Sequence, residues 1–167
     1  MLFLAPGELR GLDPSALEEI LGRHELVVAF GDGDGDGDGD GYIQGVAAAA
    51  LLFADYAVLD SGARLHVDSA EAWAGVVWRL GRRAVGWAAN GGKQEELVDE
   101  ITGQEPQSWL EEWLRHRSVM ALDSVAPLIR GRGGDSLERA EFARLFATGE
   151  PRKGLGAFLA KVRPSYS

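Results

Sequence analysis

Glu25-Leu-Val-Val-Ala-Phe30 runs into Gly31-Asp-Gly-Asp-Gly-Asp-Gly-Asp-Gly-Asp-Gly41. Just beyond comes Gly45-Val-Ala-Ala-Ala-Ala-Leu-Leu-Phe-Ala-Asp-Tyr-Ala-Val-Leu59. Leu26–Phe30 is a continuous apolar run of strand length, the signature of a strand buried on both faces in a parallel sheet. Ile43–Ala54 is Ala-rich and almost wholly apolar, and a helix without a polar face must be buried. Asp55–Leu59 reads as the next strand. Between the first strand and the helix, alternating Gly and Asp can neither hold a helix nor pack as a strand.

Working outward, Leu2–Ala5 reads as a short strand. A helix follows, with Asp13 as N-cap, Pro14 in the first turn and an apolar stripe at Leu12, Ala16, Leu17, Ile20 and Leu21. Strand, helix, strand makes a βαβ unit and an α/β architecture. Downstream, a Ser61-Gly62 turn leads to a short strand over Arg64–Val67. Ser69 opens a helix with Trp73, Val76, Val77 and Leu80 on one face. Arg82–Ala89 continues as helix until Asn90-Gly-Gly, and Leu97–Ile101 is extended. The remainder predicts helices over 106–117, 119–129, 136–146 and 153–160, the third capped by Asp135 or Ser136. The chain divides into an α/β core over 1–105 and a helical C-terminal region over 106–167, packing on the core or on a neighbouring subunit.

Charge follows the same division. Residues 1–110 carry 7 basic and 19 acidic side chains, residues 111–167 carry 10 and 7, and the whole chain is at −9. Nucleic acid is excluded as a partner because phosphate binding needs a basic face. Without the Gly-Asp run the charge is −4, so the acidity reports mainly on one loop. With 46% apolar and 26% charged residues over 167 positions, the chain can bury a core and is not disordered. It contains no cysteine, hence no disulfide or thiolate chemistry. Its longest apolar run, Val46–Ala54, is half the ~20 residues of a membrane span. No signal-peptide pattern opens the sequence, and a cytoplasmic location is expected.

Asp32-x-Asp34-x-Asp36-Gly37 matches the opening of a calcium loop, with oxygen ligands at positions 1, 3 and 5. Such a loop needs a Glu at position 12, and from Asp32, Asp34 or Asp36 that position is Ile43, Gly45 or Ala47. The favoured reading is an acidic loop that holds calcium or magnesium only weakly. Dinucleotide and P-loop readings fail, because carboxylates would face the phosphates and no Gly-Lys-Ser/Thr follows. His24, His66 and His116 have no zinc spacing and there is no G-x-S-x-G elbow. The tryptophans, including the i, i+4 pair Trp109 and Trp113, read as core or interface packing.

Taken together, three stretches carry a likeness. Leu12-Asp-Pro-Ser-Ala-Leu-Glu-Glu-Ile-Leu21 is one. The strand, Gly-rich loop, buried helix and Ala54-Asp55 are the second. Phe146-Ala-Thr-Gly-Glu-Pro-Arg-Lys-Gly-Leu-Gly-Ala-Phe-Leu-Ala-Lys-Val-Arg-Pro164 is the third, and Arg79-Leu-Gly81 fits as well. In this order they resemble the crotonase superfamily, the enoyl-CoA hydratase/isomerase family. The resemblance implies spiral ββα repeats in shortened form with a helical C-terminal extension, a trimeric or hexameric homo-oligomer and an acyl-CoA thioester ligand. No resident cofactor is implied. In the family, two backbone N–H groups polarise the thioester carbonyl. Aligned on Asp55, the family's first loop glycine falls on Gly45 and its donor glycine on Val46. The segment that supplies the other donor is expected to be missing. The two proton-transferring glutamates fall on Ala49 and Ser69, leaving Asp68 as the candidate base. Phe158 and Lys161 match C-terminal positions that approach the CoA of a neighbouring subunit. Two functions follow: a divergent acyl-CoA-binding protein with a degenerate active site, or a non-catalytic oligomeric scaffold with an acidic, cation-binding loop.

Overall fold

The computed structural model describes residues 1–22, 25–32, 41–129 and 134–166. These residues fall into two compact units, one within 2–22 and 27–104, the other within 105–166 together with residues 1, 25 and 26.

The first unit is built on a four-stranded parallel sheet in the order β1 (Leu2–Leu4), β2 (Val27–Gly31), β4 (Tyr56–Asp60), β6 (Glu100–Thr102). The register sets Leu2 beside Val27, Val28 beside Tyr56 and Val58 beside Glu100. Two shorter strands, β3 (Tyr42–Ile43) and β5 (Arg64–Leu65), pair in parallel as a second sheet. Each long strand is thus followed by a short one in the other sheet and then by a helix: β2–β3–α3 (Gly45–Phe53) and β4–β5–α4 (Ala70–Leu80). Two further helices precede β2, α1 (Pro6–Arg10) and α2 (Pro14–Gly22), and α5 (Arg83–Ala89) with a 3₁₀ turn at Gln94–Glu96 leads into β6.

Burial explains these choices. Every residue of β2 is buried, and so is Ala48–Leu52 of α3, as apolarity all round the helix requires. Asp13 caps α2 as its sequence predicts, with Oδ1 accepting from Ala16 N–H at 2.8 Å. Ser69 caps α4, Oγ accepting from Ala72 N–H at 3.1 Å. The repeats are locked by two aspartates in equivalent places. Asp55 Oδ2 accepts from Val27 N–H at 2.7 Å while its own N–H donates to Val27 O at 2.9 Å. Asp99 makes the same two-way clasp with Ala57, at 2.8 and 2.9 Å.

Several expectations change, among them Ile43, which lies in β3 and not in the buried helix, and the strand from Arg64, which ends at Leu65. The α1 helix is new: Pro6 sits in its first turn and Glu8 Oε2 reaches back to Ala5 N–H at 2.8 Å. On α4, Val76 and Leu80 are buried with Ala72 and Gly75, whereas Trp73 and Val77 face outward. Leu97–Ile101 is not one strand. Leu97 closes the 3₁₀ turn in the core, and pairing starts only at Glu100.

The second unit contains α6 (Pro106–Arg115), α7 (Val119–Ile129), α8 (Asp135–Ala147) and α9 (Glu150–Ala160). Trp109 and Trp113 are buried on α6 and stack at 5.7 Å, with the Arg117 guanidinium 4.7 Å from the Trp113 ring centre. Gly134, not Asp135 or Ser136, is the N-cap of α8. The tail folds back onto α6, where His116 Nδ1 lies 2.8 Å from Pro164 O. No described helix is long and apolar enough to cross a membrane.

Candidate functional site

A cavity of about 210 Å³ opens at the N-terminus of α3. Gly31 and Asp32 at the end of β2, Tyr42 and Ile43 of β3, Gln44, and Val46 and Ala47 of α3 form one side of it. Pro6, Leu9 and Arg10 of α1, with Leu12, form the other. The chain reaches this geometry through Gln44, which is extended, and Gly45 at φ +58, a conformation that favours glycine.

The donors of the first turn of α3 are used unequally. Gly45 N–H donates to Asp68 Oδ1 at 3.0 Å, and Ala48 N–H makes the first helical bond, to Gln44 O at 3.3 Å. Among the described residues, the N–H groups of Val46 and Ala47 have no partner. Two adjacent free donors at the positive end of a buried helix dipole, on the wall of a cavity, can polarise a carbonyl oxygen or hold an anion.

The opposite wall carries charge. Arg10 Nη2 lies 3.3 Å from both Asp32 oxygens, so the one carboxylate of the Gly-Asp run seen at the cavity is ion-paired. Asp34 and Asp36 lie outside the described residues. Among the described ones no cluster of three metal-ligating side chains exists. Arg10, Tyr42 and Gln44 escaped the sequence reading. A two-residue strand leaves no periodicity to detect, but Pro6 followed by Glu8 is a helix-start signal that could have located α1.

No protein-family model matches the sequence, and no curated protein matches it. Solved structures do. An enoyl-CoA hydratase from Polaromonas sp. JS666 has a TM-score of 0.60 at 19% identity, over 97% of this chain and 68% of its own. DspI of Pseudomonas aeruginosa has 0.58 at 21% identity, over 91% and 65%. The human enoyl-CoA hydratase domain-containing protein 3 has 0.58 at 15% identity, over 91% and 67%. The fold is that of the crotonase superfamily. The chain spans about two thirds of the length of these three structures.

On this crotonase fold, Val46 stands at the cavity wall. Gly45 adjoins it with its N–H engaged by Asp68, and Asp68 itself is not on the wall. Ala49 is completely buried inside α3, and the Ser69 hydroxyl caps α4. Phe158 and Lys161 belong to the other unit. Phe158 is 76% exposed on α9, and Lys161 ends that helix in the left-handed conformation at φ 57.

Proposed function

We propose that the protein binds an acyl-CoA thioester at the α3 cavity and is a divergent, cytoplasmic, enoyl-CoA hydratase/isomerase-like protein with a degenerate active site. The observation that carries this reading is the pair of unpartnered N–H groups at Val46 and Ala47 on the cavity wall. They supply carbonyl polarisation from one chain segment. Proton transfer is what the site lacks. Ala49 offers a methyl group, Ser69 is committed to its cap, and Asp32 is paired with Arg10. For Asp68 to act as base it must release Gly45 N–H, which makes it first a positioning residue. Phe158 and Lys161 of a neighbouring subunit would contribute to the ligand site, and the exposed apolar residues of α8 and α9 would mediate the homo-oligomer.

Calorimetry with crotonyl-CoA and acetyl-CoA tests this. A proline is tolerated in a first helical turn and removes the N–H there, and an alanine at the same position controls for the lost side chain. Val46→Pro is expected to abolish binding while Val46→Ala retains it. Failure of the unaltered protein to bind either thioester sinks the proposal. A second reading, a non-catalytic scaffold, is favoured by the missing proton-transfer groups. It predicts no thioester binding alongside an intact oligomer.

A further inference from the structure

A second concave feature of the first unit lies between β5, α4 and the Gly91–Leu97 segment, and shares no lining residue with the α3 cavity. Its volume is about 610 Å³. Two of its residues are Trp73 and Trp87, whose rings meet edge to face with centres 6.0 Å apart and planes at 77°. Trp87 is fixed in place. Its Nε1–H donates to Lys93 O at 2.9 Å, and Gly92 N–H donates to Trp87 O at 2.9 Å. Gly92 sits at φ +34, and a Cβ there would come within 2.6 Å of the indole, so the Gly-Gly turn lies flat against the ring. The opposite wall is held by Gln94, which accepts from Leu65 N–H at 3.1 Å and donates to Ala63 O at 3.3 Å. Trp73 is 41% exposed beside this rigid partner. An indole left open next to a fixed aromatic wall is a surface shaped for a flat ring.

The second observation is charge. A neighbouring cleft of about 390 Å³ shares Trp87, Gly92 and Lys93 with the first and adds Arg82 and Arg83. Among the described residues, Arg82, Arg83 and Lys93 form no ion pair. Glu96 lies on that wall and Glu95 on the first cleft, so the joined lining carries three basic and two acidic side chains. In a chain of net charge −9 this is a local reversal of sign. Three unpaired cations around one depression repel one another, and an anion relieves that repulsion.

We propose that the two joined clefts form one binding site for a nucleoside phosphate, with the base against Trp73 and Trp87 and the phosphates on Arg82, Arg83 and Lys93. Flat aromatic walls select a planar ring, and guanidinium groups select phosphate oxygens. The shared residues Trp87 and Lys93 require a ligand long enough to present both ends at once. Inorganic phosphate fills only the basic half, and a neutral nucleoside only the aromatic half.

The full-length chain is titrated with ADP, adenosine and inorganic phosphate, following heat and the Trp87 indole N–H resonance. ADP is expected to saturate, to shift that resonance, and to bind at least about tenfold tighter than either fragment. Trp73→Ala and the double variant Arg82→Ser/Arg83→Ser, all at exposed positions, are each expected to weaken ADP about tenfold, the latter also flattening its salt dependence. Three results overturn the proposal: ADP binding no better than phosphate or adenosine, ADP binding unchanged in both variants, or ADP binding abolished by Val46→Pro, which would place it in the α3 cavity.

Discussion

Asp68 and Gly45 show how a single contact sets what a helix terminus can do. The Asp68 carboxylate occupies one of the donors of α3, so the two beyond it, at Val46 and Ala47, are the ones left to a ligand. Removing the carboxylate frees Gly45 N–H to solvent and releases the loop that Gly45 turns. Asp68→Ala is therefore expected to lower stability by about 1 kcal/mol, as other losses of helix N-terminal acceptors do. Asp68→Asn, which keeps an acceptor oxygen, is expected to restore most of that. Urea unfolding of the three proteins checks this. A base at Asp68 would add a second signature, loss of turnover in both variants, including Asp68→Asn, whose stability stays near that of the parent.

Arg79 does at the other end of α3 what Asp68 does at its start. Its Nε donates to Leu52 O at 2.8 Å, one Nη to Ala54 O at 2.9 Å and the other to Asp99 at 2.9 Å. The last carbonyls of a buried helix are thereby satisfied by one planar fork, which also ties α3 to the clasp at the start of β4. Arg79→Ala leaves those carbonyls without a donor and is expected to cost about 2–3 kcal/mol. Arg79→Lys is expected to fall between, because an ammonium cannot span the three acceptors; urea midpoints rank them. A second element prediction concerns α6. Its N-cap Glu105 is held below its ordinary pKa of 4.5 by the N–H groups of Ser108 and Gln107 and by the Ser108 hydroxyl. The unfolded chain therefore takes up this proton at higher pH than the folded one, so the contribution is present above pH 4.5 and is lost on acidification through the lower folded value. Glu105→Ala is expected to melt below the parent at pH 7, and the gap should close as the pH falls below 4.5. Elements of this kind were legible where one run was decisive: β2, α3 and β4 follow from Leu26–Phe30, the Ala-rich segment and Asp55–Leu59. The face of α4 was not legible. Trp73 and Val77 fit the apolar stripe, but α3 is approached through the small residues Ala72 and Gly75, which turns the larger ones outward.

At the scale of the whole molecule, the α3 end of the candidate site was within reach of the sequence because it is local to one helix start. Its other wall was not, because α1 reaches the cavity only through the pairing of β1 with β2, some 25 residues apart in sequence. The same limit applies to the joined clefts, where Trp73, Trp87 and Lys93 converge from three elements. The C-terminal helices pose the reverse problem. Phe142 and Phe146 pack against each other at 4.5 Å on α8 yet both stay exposed, and so do Phe158 and Leu159 on α9. That much aromatic and aliphatic surface is more than a solvated helix pair normally leaves open. Self-association through it is expected, and sedimentation velocity should find a species several times the 17.9 kDa chain. Phe158→Glu with Leu159→Glu should return it to 17.9 kDa without loss of helicity, since neither side chain is buried. The charge asymmetry offers a rival driving force, with 111–167 net basic and 1–110 strongly acidic. The two are separable. An association held by apolar surface persists at about 0.5 M salt, where charges more than ~4–5 Å apart are screened. An oligomer that dissociates in salt and ignores the two glutamates would assign assembly to charge instead.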